Sequence, residues 1–211
     1  LILITLMSAE PITILPVGTA KVICLTFDDG PKNGPTEALL DLLRKEKIQA
    51  TFFVNGKWVK HDPDLILRMH KEGHDIGNHT YSHLNLSKAS RADITNELQK
   101  NNALITKITK QPVRLMRAPG GQYSRDVYTV TQKLKLLVIN WSLNTADYQM
   151  DKPMFDEGEA VFVRSPDMIV QIIKKKIHPG AIILLHNGND ETVTALQELI
   201  PWLKKHGYRF A

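Results

Sequence analysis

The sequence predicts an α/β fold in which a parallel β-sheet is covered by helices. Three observations carry this reading. Apolar runs alternate with helical patterns about seven times along the chain, the signature of repeated strand–helix–strand units. The runs are apolar at consecutive positions, as in strands buried on both faces. The unusual polar residues (Asp28-Asp29, His79 and His83, Arg117, His186) fall at or just after the carboxyl ends of those runs. Parallel α/β folds build their sites on that side. No linker, low-complexity stretch or repeat interrupts the pattern, so residues 20–211 read as one domain and residues 1–19 as a segment preceding it.

Taken in order, Leu1 to Met7 is apolar but too short to span a bilayer. It reads either as the remnant of a secretory signal or as an edge strand. Val22–Phe27 is the first clear strand. Pro35–Lys47 is a helix with an apolar stripe at Leu39, Leu40, Leu42 and Leu43. Ala50–Val54 is a strand ended by Asn55-Gly56. Asp62-Pro63 opens a helix, as N-cap and first-turn proline, and Gly73 closes it. Asp75–Gly77 is a short strand leading to His79-Thr80-Tyr81-Ser82-His83. Ser90 and Asp93 form a capping box for a long helix to Lys110. Val113–Arg117 is a strand, Ser124–Leu134 a helix and Leu136–Trp141 a strand. Met150–Arg164 reads as a loop with a short strand at Ala160–Val163. Ser165-Pro166 starts a helix to Ile177, and Ala181–Leu185 is the most uniformly apolar strand. The last helix, Thr192–His206, contains Pro201 and is expected to kink there. Tyr208–Phe210 forms a terminal strand.

A net charge of +5 and a pI near 9.2 suit anionic surroundings such as cell-wall polymer. The basic residues are spread along helix faces, as in Lys174-Lys175-Lys176, and are not interleaved with aromatics. No nucleic-acid partner is therefore read from them. No stretch is long and apolar enough for a transmembrane helix. A single cysteine, Cys24, rules out a disulfide within these residues and lies inside an apolar strand, where it reads as core.

The chemistry is organised around Leu25-Thr26-Phe27-Asp28-Asp29-Gly30. Ionised carboxylates are not left at the mouth of a buried strand without a cation or a partner. Neighbours in a strand point to opposite faces, so the two aspartates differ in role unless the chain turns between them, and Gly30-Pro31 supplies a turn. One aspartate is read as binding a metal and the other as handling a proton. His79 and His83 are four apart; on a helical turn both rings would share a face. With Asp29 they make a three-ligand site with open positions, the pattern of catalytic zinc. Cobalt or nickel suits the same donors. Asp28 is then the base that takes a proton from a water activated by the cation. His186 is read as a general acid, and Arg117 as orienting Asp28 with Asp147 as its own partner. Trp141, beside the loop that carries Asp147, is the best placed of three tryptophans to stack on a sugar ring, against the plainer reading of core packing.

The ordered set Thr26-Phe27-Asp28-Asp29-Gly30, His79-Thr80-Tyr81-Ser82-His83, Arg117-Ala118-Pro119-Gly120-Gly121, Asn144-Thr145-Ala146-Asp147-Tyr148 and Leu184-Leu185-His186 resembles the polysaccharide deacetylase family, also called the NodB homology domain or carbohydrate esterase family 4. The resemblance implies a distorted (β/α) barrel with about seven parallel strands rather than the usual eight. It implies metal-dependent removal of acetyl groups from sugar polymers, peptidoglycan or chitin-like oligomers, by a secreted or envelope-associated bacterial protein. O-acetyl xylan, a small amide, or a catalytically silent glycan-binding role are the alternatives. It also implies Asp28 as base, Asp29, His79 and His83 as metal ligands, Arg117 as the residue holding the base, and Asp147 as an orienting acid. His186 would be the general acid, Leu184 would line the acetyl pocket, and the Gly120 N–H would help bind the oxyanion. Three positions depart from the usual pattern: Gly120 replaces an aromatic, Asn144 an aspartate, and Tyr148 a tryptophan that contacts substrate.

Overall fold

The computed structural model describes residues 10–148 and 164–211, together with the backbone of two strands at 153–156 and 159–162. Strands β1 (Val22–Asp28), β2 (Thr51–Val54), β3 (Asp75–Asn78), β4 (Leu115–Met116), β5 (Leu137–Val138), β6 (Leu143–Asn144) and β9 (Ile182–His186) form one sheet. Its order is β5-β4-β3-β2-β1-β9-β6 and every pairing is parallel. The sheet curls into a distorted barrel surrounded by helices. Strand β10 (Arg209–Phe210) pairs with the start of β1. The intervening β7 (Pro153–Asp156) and β8 (Glu159–Phe162) form an antiparallel hairpin, where the sequence suggested a loop with one short strand.

Closure of the curl comes from β5 and β6. They sit at opposite ends of the strand order, yet only residues 139–142 separate them. Parallel neighbours normally need a crossover of a dozen or more residues. Here one rising segment instead leaves β4 and arrives at β9. Residues 10–15 clasp the same seam: Ile12 N–H donates to the Val138 carbonyl at 2.9 Å, Asn140 N–H to the Ile12 carbonyl at 2.8 Å, and Leu15 N–H to the Gly180 carbonyl at 2.9 Å. The apolar Leu1–Met7 stretch lies outside the described residues.

Helices α1 (Pro35–Glu46), α3 (Pro63–Lys71), α4 (Arg91–Thr109), α5 (Arg125–Lys133), α6 (Pro166–Lys176) and α7 (Asp190–Lys205) occupy the expected places. The strands alternate faces. Ile23, Leu25, Phe27, Phe52, Val54, Ile183 and Leu185 pack outward with Leu39, Leu40 and Leu43 of α1 and Leu196, Leu199 and Leu203 of α7. The alternate residues Thr26, Asp28, Phe53, Leu184 and His186 therefore face the interior of the barrel. A second core beneath α4 and α5 joins Ile94 and Leu98 to Met116, Val127, Val130 and Val138.

Several boundaries differ from the expected ones. The strands read at Val113–Arg117 and Leu136–Trp141 are two residues each, and beyond β5 the Ile139 and Asn140 carbonyls accept from the Arg117 side chain. A short helix, α2 (Gly56–His61), follows β2 directly where Asn55-Gly56 had read as a turn. Asp62 stands at the N-cap of α3 but makes no capping bond; its carboxylate meets Asn33 and His61. The last helix begins at Asp190, with Asn189 accepting from Glu191 N–H, and continues through Pro201 to Lys205.

Phe52 tests the outer core. It is fully buried and stacks on Phe27 with ring centroids 5.1 Å apart. Phe52→Ala is expected to cost about 3–5 kcal/mol of unfolding free energy in urea titrations. A loss below about 1 kcal/mol would show that the β1–β2 face is not packed as described.

Candidate active site

Arg117 leaves the end of β4 into the barrel and is fully buried. Its Nη1 donates to Asp28 Oδ1 at 2.7 Å and to Thr26 Oγ1 at 2.8 Å. Its Nε and Nη2 donate to the carbonyls of Ile139 and Asn140 at 3.3 and 2.9 Å. The guanidinium carbon lies 4.3 Å from the centre of the Phe53 ring. Asp28 is thus held by one oxygen, leaving Oδ2 on the side of His79, 3.8 Å from its Nε2. The chain turns at Asp29 itself, which is left-handed at φ 69°, one residue earlier than the Gly30-Pro31 turn suggests. Gly30 then has no room for a side chain: a Cβ there would stand 2.6 Å from Asn187 Nδ2.

Asp29, His79 and His83 converge. Asp29 Oδ1 lies 3.8 Å from His79 Nε2 and 3.5 Å from His83 Nε2, and one ligand atom from each fits within 4.8 Å of the others. The two rings do not sit on a helical turn, as their spacing suggested. β3 ends at Asn78, and the following loop has left-handed Thr80 and His83, both at φ 64°. That loop still brings the ring centroids to 5.2 Å. His79 Nδ1 bonds the Arg117 carbonyl at 2.9 Å, which fixes Nδ1 as the protonated nitrogen and frees the Nε2 lone pair. Burial lowers the His79 pKa, against the pull of Asp28 and Asp29. A neutral buried imidazole, a more exposed one and a carboxylate fit a divalent cation with open coordination positions.

The second pair is Asp147 with His186. Asp147 is fully buried, and it bonds His186 rather than the expected Arg117. Its Oδ1 meets His186 Nδ1 at 2.7 Å, and its Oδ2 accepts from His186 N–H and Thr192 Oγ1, both at 2.7 Å. Burial would raise the Asp147 pKa, but these bonds and the imidazole charge bring it below the ordinary value. Burial likewise works to lower the His186 pKa, yet the bond and charge of Asp147, with Asp28 and Asp29 behind, leave it raised. In the sheet, His186 is the register partner of Asp28.

The sequence model of the polysaccharide deacetylases matches residues 17–139. Bacillus subtilis PdaA, a peptidoglycan-N-acetylmuramic acid deacetylase, is 39% identical over 191 residues, covering 90% of this chain and 69% of that one. The chain belongs to the polysaccharide deacetylase family. A peptidoglycan-N-acetylglucosamine deacetylase of Bacillus cereus is 36% identical over 193 residues, 90% of this chain and 85% of that protein. Among solved structures, a mutant of a Bacillus anthracis CE4 family pseudoenzyme with restored enzymatic activity superposes with a TM-score of 0.84 at 33% identity, covering 96% of this chain and 69% of that one. Polysaccharide deacetylase scaffolds therefore occur with and without activity, so the side chains in the site carry the functional argument.

Around this deacetylase site lies an open groove of about 630 Å³, lined by residues that include Lys32, Trp58, His83, Tyr148, Asn187 and Glu191. Tyr148 is half exposed, its ring centroid 4.9 Å from that of His186. Asn144 keeps the local turn despite departing from the family pattern: its Oδ1 accepts from Ala146 N–H at 2.7 Å, as an aspartate would. Gly120 sits in an exposed turn at φ 64°, where a Cβ would meet the Gln122 side chain at an ordinary contact distance of 3.7 Å. Leu184 is buried one register step below the mouth. Trp141 stands outside the groove lining, with its ring against Gly121 and 5.6 Å from the Arg117 guanidinium carbon.

Two supporting residues were missed in the sequence. Thr26 shares the Arg117 donor with Asp28, and its position two before Asp28 on the same strand face was the available signal. Asn187 donates its N–H to the Asp28 carbonyl at 2.7 Å and accepts from Thr36 Oγ1 at 2.8 Å, tying the ends of β1 and β9 to α1.

The Asp147–His186 pair predicts a titration. In NMR spectra the His186 ring should titrate above the ordinary histidine value, and Asp147→Asn should move it down by removing the charge that raises it. A His186 midpoint unchanged by Asp147→Asn would contradict the coupling.

Proposed function

We propose that the protein is a metal-dependent deacetylase that removes N-acetyl groups from N-acetylglucosamine-containing glycans, peptidoglycan or chitin-like oligomers, at the bacterial envelope or in secreted form. The observation that carries this is the convergence, at one strand-end mouth, of an arginine-held carboxylate, a three-donor cluster and a carboxylate-held imidazole. The relatives named above support the glycan class, and the basic pI suits an anionic wall.

Asp29, His79 and His83 would hold one divalent cation, zinc by donor chemistry, with cobalt or nickel as substitutes. When bound, the cation supplies Lewis acidity to the acetyl carbonyl and to water. The chain's own groups move the protons. Asp28 Oδ2, the oxygen that Arg117 leaves free, takes a proton as water attacks the carbonyl carbon. By the family resemblance, the Gly120 N–H would help bind the developing oxyanion and Leu184 would line the acetyl pocket. His186, whose hold on its proton Asp147 strengthens, delivers a proton through Nε2 to the sugar nitrogen as the C–N bond breaks. Acetate and a free amine leave. Tyr148 stands beside the sugar, whereas Trp141, outside the groove lining, packs against Gly121.

Three measurements test this. Metal-stripped protein should release no acetate from N-acetylglucosamine oligomers or peptidoglycan, and zinc or cobalt should restore release. Absence of release with metal bound would sink the assignment. Asp28→Asn should lower turnover by about 10²–10⁴-fold with metal content unchanged. His186→Ala should cost amide turnover more than turnover of an acetyl ester, whose leaving group needs less acid. Equal losses on both would remove His186 from the acid role.

A further inference from the structure

The segment between the two histidines is held on every side. His79 N–H donates to the Val54 carbonyl at 3.0 Å, and Asn55 Nδ2 returns a bond to the His79 carbonyl at 3.0 Å. Thr80 N–H donates to Asn78 Oδ1 at 2.7 Å. The Thr80 carbonyl accepts from Gly56 N–H at 3.0 Å and from Asn101 Nδ2 at 2.9 Å. The Tyr81 carbonyl accepts from Lys57 N–H at 2.9 Å. The Tyr81 ring lies against Gly56, where a Cβ would come within 2.3 Å of it, and Lys100 Nζ sits 3.6 Å from the ring centre. Left-handed Thr80 and His83 are strained conformations that persist only when the surroundings over-determine them.

One carboxylate completes this cage. Glu97 of α4 is nine-tenths buried. Its Oε2 accepts from Tyr81 N–H at 2.9 Å and from Ser82 N–H at 2.7 Å, and its Oε1 from Ser82 Oγ at 2.9 Å. Among the described residues it forms no salt bridge, so its partners are neutral donors of the loop carrying His79 and His83. A buried carboxylate is costly unless bonded in this way. Without it, two adjacent loop amides would be left without acceptors in a part-buried site, and the loop would relax towards another backbone conformation.

We propose that Glu97 is a positioning residue for metal binding: it fixes the backbone of residues 81 and 82, and through it the convergence of His79 and His83 on Asp29. This rests on the cation site proposed above. Partners that orient ligands are commonly worth about 10–100-fold in metal affinity.

The test is a zinc titration of the metal-stripped full chain against a chelating indicator, with circular dichroism and melting of the metal-free forms alongside. Glu97→Ala should bind zinc about 10–100-fold more weakly. Glu97→Gln should stay near the wild type, because its amide oxygen can accept both loop N–H groups where Oε2 does. Glu97→Asp keeps the charge but withdraws the oxygens by one methylene, so it should lose affinity too; it decides the matter if Glu97→Ala does not fold. The visible spectrum of the cobalt-loaded protein should change in Glu97→Asp and not in Glu97→Gln. Wild-type zinc affinity in Glu97→Ala or in folded Glu97→Asp would overturn the proposal alone. Failure of the wild type itself to bind zinc, equal to a His83→Ala control, would overturn the cation site and this inference together.

Discussion

Arg117 and Asp28 form an ion pair that the barrel mouth cannot do without. The guanidinium has no contact with solvent and spends its donors on Thr26, Asp28 and the carbonyls of Ile139 and Asn140. It therefore ties β4, β1 and the closing segment between β5 and β6 at one point. Removing one member of such a buried pair strands the other charge, a loss of about 3–5 kcal/mol. The same residue reaches the Asp29, His79 and His83 cluster through its backbone, since its carbonyl fixes the tautomer of His79. One buried cation thus orients a carboxylate with its side chain and an imidazole with its main chain.

The second pair is built on the opposite logic. Asp147 and His186 gain their bonds from a loop, a strand end and the first turn of α7, and the carboxylate serves the imidazole rather than the reverse. The register of β1 against β9 then sets the two pairs side by side without any contact between Arg117 and Asp147. Asp28 is held by Arg117 and Asp147 by His186 and Thr192, so each pair keeps its own set of bonds.

Much of this was legible in the sequence because strand ends are. The long apolar runs of β1 and β9 point to Asp28 and His186, and parallel topology puts their ends on one rim. The apolar runs around β4 and β5 were legible as strands but not their two-residue extent, and β6 was not read at all, since two residues carry no period. The spacing of His79 and His83 suggested the right neighbours with the wrong backbone: a loop with two left-handed residues reaches what a helical turn would. The partner of Asp147 was misassigned because pairing by charge alone cannot tell an arginine from a histidine that shares its rim. Glu97 left a trace that could have been read. It lies on the buried stripe of α4 with Ile94, Leu98, Asn101 and Ile105, and a charge on such a stripe asks for a partner.

The pairing of β1 with β9 has a consequence for how the protein comes into being. β1 lies near the start of the chain and β9 near its end, yet they are neighbours at the centre of the sheet. During synthesis, β1 to β4 can pair in sequence order as they emerge, and Asp28, Arg117 and the three cluster residues can assemble with them. His186 arrives only when β9 inserts beside β1 and β6 docks on its far side. Contacts of such long range are slow to form. The topology accordingly lets Asp28 and the Asp29, His79 and His83 cluster come together before His186 joins them.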